Sequence, residues 1–295
     1  MVTIRLAQIG DMPRQKEIWK LCFGDSDLYI DFYYANHYKA EETMLLLDGA
    51  EIACMLTMLP IETIAADQCR WASAMLYAIA THPQYQRRGL ATQLINNTHD
   101  YLRQKEKVFS LLVPSQAPLF DFYSLQGYQD GFYIREILFT REQIENWDAA
   151  TSCLDQSVRL DPHEYNLVRN EQLRGMLYVA YPDEEIAYQA QLSRQFGGDL
   201  FAITIGEERG CAVLETLPAN QVFIRELLIS EQHLPAALRH LAQLLPAAEY
   251  IVRIPAFLGA RLGGTSRPFA MLRPLQPTAP EITPTDLGYL GLAFD

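Results

Sequence analysis

The chain has 295 residues, 49% of them hydrophobic, which suits two ordinary domains or one large one and leaves no shortage of core material. Its 24 basic and 36 acidic side chains give a formal net charge of −12, which disfavours nucleic acid and anionic membranes as partners and mildly favours cationic ones. No stretch approaches a membrane-spanning apolar run, and the opening "MVTIRLAQIGDMPRQ" lacks the order of a secretion signal, so a cytoplasmic location is expected.

In chain order, "TIRLA" alternates as a short strand, and two amphipathic segments follow, "DMPRQKEIWKLCF" and "DLYIDFYYANHY". The segment "TMLLLDGAEIACMLTMLPI" reads as a hairpin turning at Asp48 and Gly49. A strand, "ASAMLYAIATH", leads through the turn "QRRGL" into the helix "ATQLINNTHDYLRQKEK". The strand "FSLLVPS", the helical "APLFDFYSLQG" and the strand "GFYIREILFT" complete a β-α-α-β-β-β-α-β-α-β order over residues 1–145.

Residues 146–156 are polar and read as a linker. From about residue 157 a similar order begins again, with a helix "DEEIAYQAQLSRQFGG", a hairpin "LFAITIGEERGCAVLETL", a strand "VFIRELLI", a helix "LPAALRHLAQLL" and a strand "YIVRIP". This second copy, 157–273, passes from strand to helix with no glycine-and-arginine turn, and it is expected to be structural. After Arg273, prolines at 274, 277, 280 and 284 mark a tail, 274–295, whose Tyr289, Leu290, Leu292 and Phe294 are too apolar to leave in water; the tail is expected to dock near the active site.

The five cysteines, Cys22, Cys54, Cys69, Cys153 and Cys211, are odd in number and widely spaced, which fits reduced thiols. Neither they nor the six histidines show metal-ligand spacing, so no metal is expected. Oligomeric state is not legible, and a homo-oligomer is left open.

The turn Gln86-Arg87-Arg88-Gly89-Leu90-Ala91-Thr92 sits between a strand and a helix. A helix N-terminus exposes unpaired N–H groups, which with the helix dipole bind an anion such as a pyrophosphate. Gly89 removes a side chain where phosphate must approach, Ala91 keeps the next contact small, and one of Arg87 and Arg88 would fork onto phosphate oxygens while the other is solvated.

On these residues the chain resembles the GCN5-related N-acetyltransferase (GNAT) superfamily, whose cofactor loop reads Gln/Arg-x-x-Gly-x-Gly/Ala. The family's aromatic pair and Gly-aromatic ending have counterparts in Phe122, Tyr123, Gly127 and Tyr128 of "DFYSLQGY". The resemblance is close over residues 1 to about 140. It implies acetyl-CoA as cosubstrate, with backbone contacts to its pantetheine arm from Ile79, Ala80 and Thr81. The doubled plan resembles the enhanced-intracellular-survival (Eis-like) group, without its sterol-carrier-like domain. In that group a second GNAT-like domain lacks the cofactor loop and the C-terminus reaches the first domain's active site. The implied fold is α/β (α+β): two GNAT-like domains in tandem, each a mixed, mostly antiparallel twisted sheet flanked by helices.

Acetyl transfer to an amine needs a neutral nucleophile, a stabilised oxyanion and a proton for the leaving thiolate. Tyr123 is the candidate acid. The candidate bases are Glu62, His82, Glu136 and Asp295, the last with both a side-chain and a terminal carboxylate. Asp25, Asp27 and Asp31 lie in the region that forms an acceptor wall in the superfamily; Asp25, Asp27 and Glu62 are the candidate residues for holding a cationic acceptor, although the aspartates suit helix capping equally well. Three functions fit: an N-acetyltransferase acting on a cationic small amine of aminoglycoside or polyamine type, a protein or peptide N-acetyltransferase, and a catalytically silent acyl-CoA-binding module.

Overall fold

In the computed structural model, residues 1–147 and 156–294 are described. Most of the expected linker 146–156 and Cys153 lie outside the described residues. The chain divides into two compact units, the first built from residues 1–62, 71–129 and 271–281, the second from 63–70, 130–270 and 282–295.

The first unit contains β1 (Val2–Leu6), α1 (Met12–Phe23), α2 (Asp27–Asn36), β2 (Thr43–Asp48), most of β3 (Glu51–Ile64) and β4 (Arg70–Thr81), then α3 (Leu90–Gln104), β5 (Phe109–Leu112) and α4 (Ala117–Ser124). This is the order expected from the periodicity. The β1–β2 and β2–β3 pairs are antiparallel, and the β4–β5 pair is parallel. On α3, Leu90, Leu94, Ile95 and Leu102 recur at helical spacing and join Met44, Leu56, Leu76 and Leu112 in one buried cluster.

The second unit begins with nearly all of β6 (Gln129–Thr140), followed by α5 (Arg141–Glu145), β7 (Gln156–Arg159), α6 (Pro162–Gln172), β8 (Tyr178–Ala180), α7 (Asp183–Gln195), β9 (Asp199–Ile205), β10 (Glu208–Leu217), β11 (Gln221–Leu228), α8 (Leu234–Leu244) and β12 (Glu249–Pro255). The pairs β7–β9, β9–β10, β10–β11 and β6–β12 are antiparallel, and β11–β12 is parallel. Strand β9 through β12, with α8 as the crossover, thus repeats the plan of β2 through β5 with α3. Leu234, Leu238 and Leu241 of α8 pack with Ile203, Leu214, Ile224 and Val252.

The units cut the chain differently from the segments 1–145, 157–273 and 274–295. Strand β6 pairs along its length with β12 in the second unit, from Thr140 opposite Glu249 to Ile134 opposite Pro255. The last strand, β13 (Thr265–Pro274), places Met271–Pro274 antiparallel against Leu112–Phe109 of β5 in the first unit. Both assignments rest on pairing between residues more than a hundred positions apart, which no local pattern encodes.

Four elements of the second half, β7, α6, β8 and β13, have no counterpart in the sequence reading. Strands β7 and β8 are only four and three residues long, and the inward face of α6 carries Asn166 and Arg169 among its buried residues, which breaks the apolar stripe. Those polar residues are satisfied. Arg169 and Glu226 form a fully buried ion pair at 3.0 Å, Tyr165 donates to the same carboxylate at 2.7 Å, and the Arg169 guanidinium also donates to the carbonyls of Val179 and Leu290.

The apolar end of the tail docks within the second unit, whereas residues 274–281 belong to the first. Tyr289 donates its N–H to the Leu177 carbonyl and accepts from the Val179 N–H, extending β8 by a bridge, while Tyr181 donates its hydroxyl to the Leu292 carbonyl. Tyr289, Leu290, Leu292 and Phe294 are at most 1% exposed. Asp295 lies outside the described residues.

Candidate active site

The parallel pairing of β4 with β5 covers only Ser73–Leu76 against Phe109–Leu112. Beyond Leu76, β4 runs on to Thr81 with no β5 partner. At the divergence, Ala78 adopts φ of 49°, a left-handed conformation that L-residues other than glycine rarely take and that costs on the order of 1 kcal/mol. The stretch Ile79–Thr81 therefore lies past the end of the β4–β5 pairing. Thr81 is the best anchored of the three: its carbonyl accepts from the Cys22 thiol at 3.2 Å and from the Gln86 side-chain amide at 3.1 Å, and its hydroxyl donates to Cys54 Sγ at 3.3 Å. Cys22, Cys54, Cys69 and Cys211 are all free thiols, as expected for a reduced protein.

Past Thr81, His82 caps a short 3-10 turn through its Nδ1, which accepts the Gln84 N–H at 3.3 Å. That lone pair is therefore occupied, and the imidazole serves the turn; as a candidate base it is disfavoured. The basic turn follows. Arg87 has φ of 61° and Gly89 φ of 72°, so two left-handed positions, one on each side of Arg88, aim the start of α3. Only the second is a glycine. A Cβ on Gly89 would meet no protein atom within 4 Å, so the space in front of the helix is open, and no side chain caps the first turn. Its orphan N–H groups, with Leu90, Ala91 and Thr92 in that turn, are thus presented to an incoming anion.

The two arginines part company. Arg88 donates to Asp48 Oδ2 at 2.8 Å and lies over the Tyr85 ring at 5.5 Å, whereas Arg87 is exposed and has no hydrogen bond or ion pair among the described residues. Of the two guanidinium groups, that of Arg87 is the one without a partner among the described residues. In the second unit the first turn of α8 is likewise uncapped by any side chain, and a carboxylate sits at the 3-10 turn before it. Glu208 accepts from the Ser230 N–H at 2.8 Å and its hydroxyl at 2.6 Å, with His233 Nδ1 at 2.6 Å. Burial alone would raise the Glu208 carboxyl, but the Ser230 bonds and His233 hold it below its ordinary value.

Tyr123, near the end of α4, is 7% exposed, and burial pushes its phenol up to about 12. Its hydroxyl has no hydrogen-bond partner among the described residues and is not among the fully enclosed polar atoms. It is protonated at neutral pH, unengaged and reachable. Beneath it lies a buried polar group that the sequence did not disclose. His99 Nε2 is 2.8 Å from the Tyr128 hydroxyl, which is 2.7 Å from Ser110 Oγ, and Arg273 of β13 donates to His99 Nδ1 at 2.9 Å and to the Gln126 carbonyl at 2.5 Å.

Burial, reinforced by Arg273 and Arg103, lowers the His99 pKa to about 3. In the unfolded chain a histidine titrates near 6.5, so between these values the unfolded state binds the proton and the native state does not. Stability conferred by neutral His99 is complete above about pH 6.5 and is lost as pH falls, by up to roughly 1.4 kcal/mol per pH unit. Chemical denaturation from pH 7 to 4.5 should show this decline in the first unit, and His99→Gln should flatten it.

The acidic candidates are mostly engaged. Asp25 accepts from Trp19 Nε1 at 2.7 Å, and Asp27 and Asp31 pair with Lys20 at 2.7 Å and Lys16 at 2.6 Å. Their field on an incoming cation is correspondingly reduced. Glu62 is half-buried at the first unit's boundary, and Glu136 belongs to the second unit, 3.3 Å from Arg267. Among the described residues, no group of three His, Cys, Asp or Glu is placed to hold a metal, and no helix is long and apolar enough to cross a membrane.

The candidate site thus rests on the open start of α3 behind its basic turn and on the unengaged phenol of Tyr123, both in the first unit. Residues 3–130 match the family model of the acetyltransferase (GNAT) domain, so these residues form a GNAT domain of acyltransferase type. No curated protein matches the chain. Among solved structures, the fold is similar to a GCN5-related N-acetyltransferase from Anabaena variabilis, with a TM-score of 0.75 and 15% identity over 94% of this chain and 73% of that one. A GCN5-related N-acetyltransferase from Kribbella flavida gives a TM-score of 0.72 and 14% identity, covering 95% and 73%. Eis1 from Mycobacterium abscessus gives 0.68 and 13%, covering 93% and 74%. These likenesses extend the fold agreement across both units.

Proposed function

We propose that the chain is a cytoplasmic, acetyl-CoA-dependent N-acetyltransferase that moves the acetyl group directly to a primary amine of a cationic small molecule, of the aminoglycoside or polyamine type. The observation that carries the cofactor reading is the open start of α3 behind left-handed Gly89, with Arg87 unpaired beside it. In this reading the diphosphate sits on the N–H groups of Leu90, Ala91 and Thr92 with Arg87 on its oxygens. The pantetheine arm runs along Ile79–Thr81, and the thioester ends near Tyr123. Arg88 contributes long-range charge while held by Asp48. The second unit is a degenerate GNAT-like domain.

Tyr123 is the proton donor in this scheme. With a phenol near 12 and a thiol near 8.5, complete proton transfer is uphill by about 5 kcal/mol, so the phenol shares its proton with the departing sulfur in a hydrogen bond. An aliphatic ammonium near pKa 10.4 is neutral in only about one part in two thousand at pH 7, so the acceptor needs a base. Glu62 and Asp295 are the carboxylates proposed for that role, and deletion of Asp295 tests the second.

The cationic acceptor is favoured by the net charge of −12. A specific observation favours a peptide acceptor as the second reading. Leu21, Phe23 and Leu28, around the turn between α1 and α2, are 53%, 42% and 84% exposed, and the aspartates there are paired. Thiol release from acetyl-CoA across polyamines, aminoglycosides and peptide N-termini separates the two, and release with none of them would support a silent module. In parallel, calorimetry with coenzyme A should show Arg87→Ala weakening binding by roughly tenfold, the worth of one charge-assisted hydrogen bond. Arg88→Ala should weaken it less.

A further inference from the structure

Two features of Tyr123 stand together. Its hydroxyl is held by no hydrogen bond among the described residues, yet a proton donor must meet the departing sulfur in one orientation. Whatever aims it must act through its backbone and its ring. The backbone is fixed by the turn that ends α4, where the Tyr123 carbonyl accepts the Gln126 N–H at 2.8 Å and the Tyr128 N–H at 3.2 Å. The ring rests edge-on against Tyr128, with centroids 5.9 Å apart and planes at 69°. Both supports lead to Arg273.

Arginine has only donors, so the contact from Arg273 to His99 Nδ1 makes that nitrogen the acceptor and leaves the imidazole proton on Nε2. Nε2 then donates to the Tyr128 oxygen, and the Tyr128 hydroxyl in turn donates to Ser110 Oγ. The order Arg273, His99, Tyr128, Ser110 has one direction, and it pins the ring on which Tyr123 rests. The same Arg273 nitrogen donates to the Gln126 carbonyl, and Gln126 reaches Thr92 Oγ1 on the first turn of α3 at 3.3 Å. Gly127 fits this crossing doubly: its φ is 82°, and a Cβ there would lie 3.4 Å from the guanidinium.

We infer that Arg273 and His99 are positioning residues for the proton donor Tyr123, acting through the Tyr128 ring and the Gln126 turn. The inference rests on the acetyltransferase reading and on Tyr123 as its acid. It gives β13 a task in the chemistry. The strand enters the first unit from the far end of the chain, and its Arg273 links the ordering of the acid to the helix that receives the cofactor.

The test is a double-mutant cycle on turnover in the full chain, using the best amine from the panel. Tyr128→Phe and Arg273→Lys should each lower kcat on the order of tenfold, the usual consequence of a misaimed catalytic group, with coenzyme A affinity and the melting profile nearly unchanged. In a Tyr123→Phe background the same substitutions should lower kcat by less than about twofold, because nothing is left to aim. Equal losses in both backgrounds, or no loss from Tyr128→Phe, would overturn the inference and leave the acid role standing. A Tyr123→Phe chain as active as the parent would remove the acid role and the inference with it. Tyr128→Phe deletes a single oxygen, so it carries the test even where an Arg273 variant fails to fold.

Discussion

Replacing Tyr123 by phenylalanine should reduce kcat by roughly 10²- to 10³-fold while coenzyme A binds within about twofold of the parent affinity, the range expected when a positioned proton donor is deleted. The ring is 7% exposed and packs against Phe122 and Tyr128, so a phenylalanine preserves the packing. The hydroxyl makes no bond among the described residues, so its removal leaves no partner there unsatisfied and the fold should be indifferent. The loss should therefore appear in turnover alone. A parallel fall in kcat and coenzyme A affinity would mark Tyr123 as a packing residue. Because burial holds its phenol near 12, no alkaline limb from Tyr123 should enter the kcat profile below about pH 10.

Truncation of residues 288–295 should unfold the second unit. Tyr289, Leu290, Leu292 and Phe294 are sealed from solvent, and at 1.5–3 kcal/mol for each buried side chain their loss removes about 6–12 kcal/mol, as much as the whole stability of an ordinary domain. The truncation also takes the Leu290 carbonyl from Arg169 and the Leu292 carbonyl from Tyr181, leaving donors inside the core with one partner fewer. Thermal melting followed by circular dichroism, with limited proteolysis to locate the damage, should show loss of the transition belonging to residues 130–270. A truncated chain that melts within a few degrees of the parent would mean that the tail is not an integral part of that unit. Arg169→Met is a useful companion. It strands the Glu226 carboxylate, and breaking such a buried pair costs about 3–5 kcal/mol.

Much of the first unit was legible because its signals are local. Apolar spacing gave the order from β1 to α4. The turn at Arg87-Arg88-Gly89 gave the candidate phosphate cradle, and the aromatic ending at Phe122, Tyr123 and Tyr128 gave the candidate acid. Each of these depends on residues within a turn or two of one another, where periodicity and backbone preference act directly. The same is true of the tail, where four large apolar residues made burial the expected outcome before any partner was known.

What the tertiary structure decided is pairing across distance. It divided the labour of Arg87 and Arg88 through Asp48, forty positions away, and it spent Asp25 and Asp27 on Trp19 and Lys20. It put the left-handed residue of β4 at Ala78, where no glycine advertises it, and drew β6 to β12 and the end of β13 to β5. Arg273 is the clearest case: in the sequence it marks only the last cation before a proline-rich tail, while in the fold it stands against His99 and fixes the state of that imidazole. Sequence patterning fixes which face of an element turns inward, because that depends on its own repeat. The choice of neighbour depends on strand pairing and desolvation summed over the whole chain, and those are settled only when it folds.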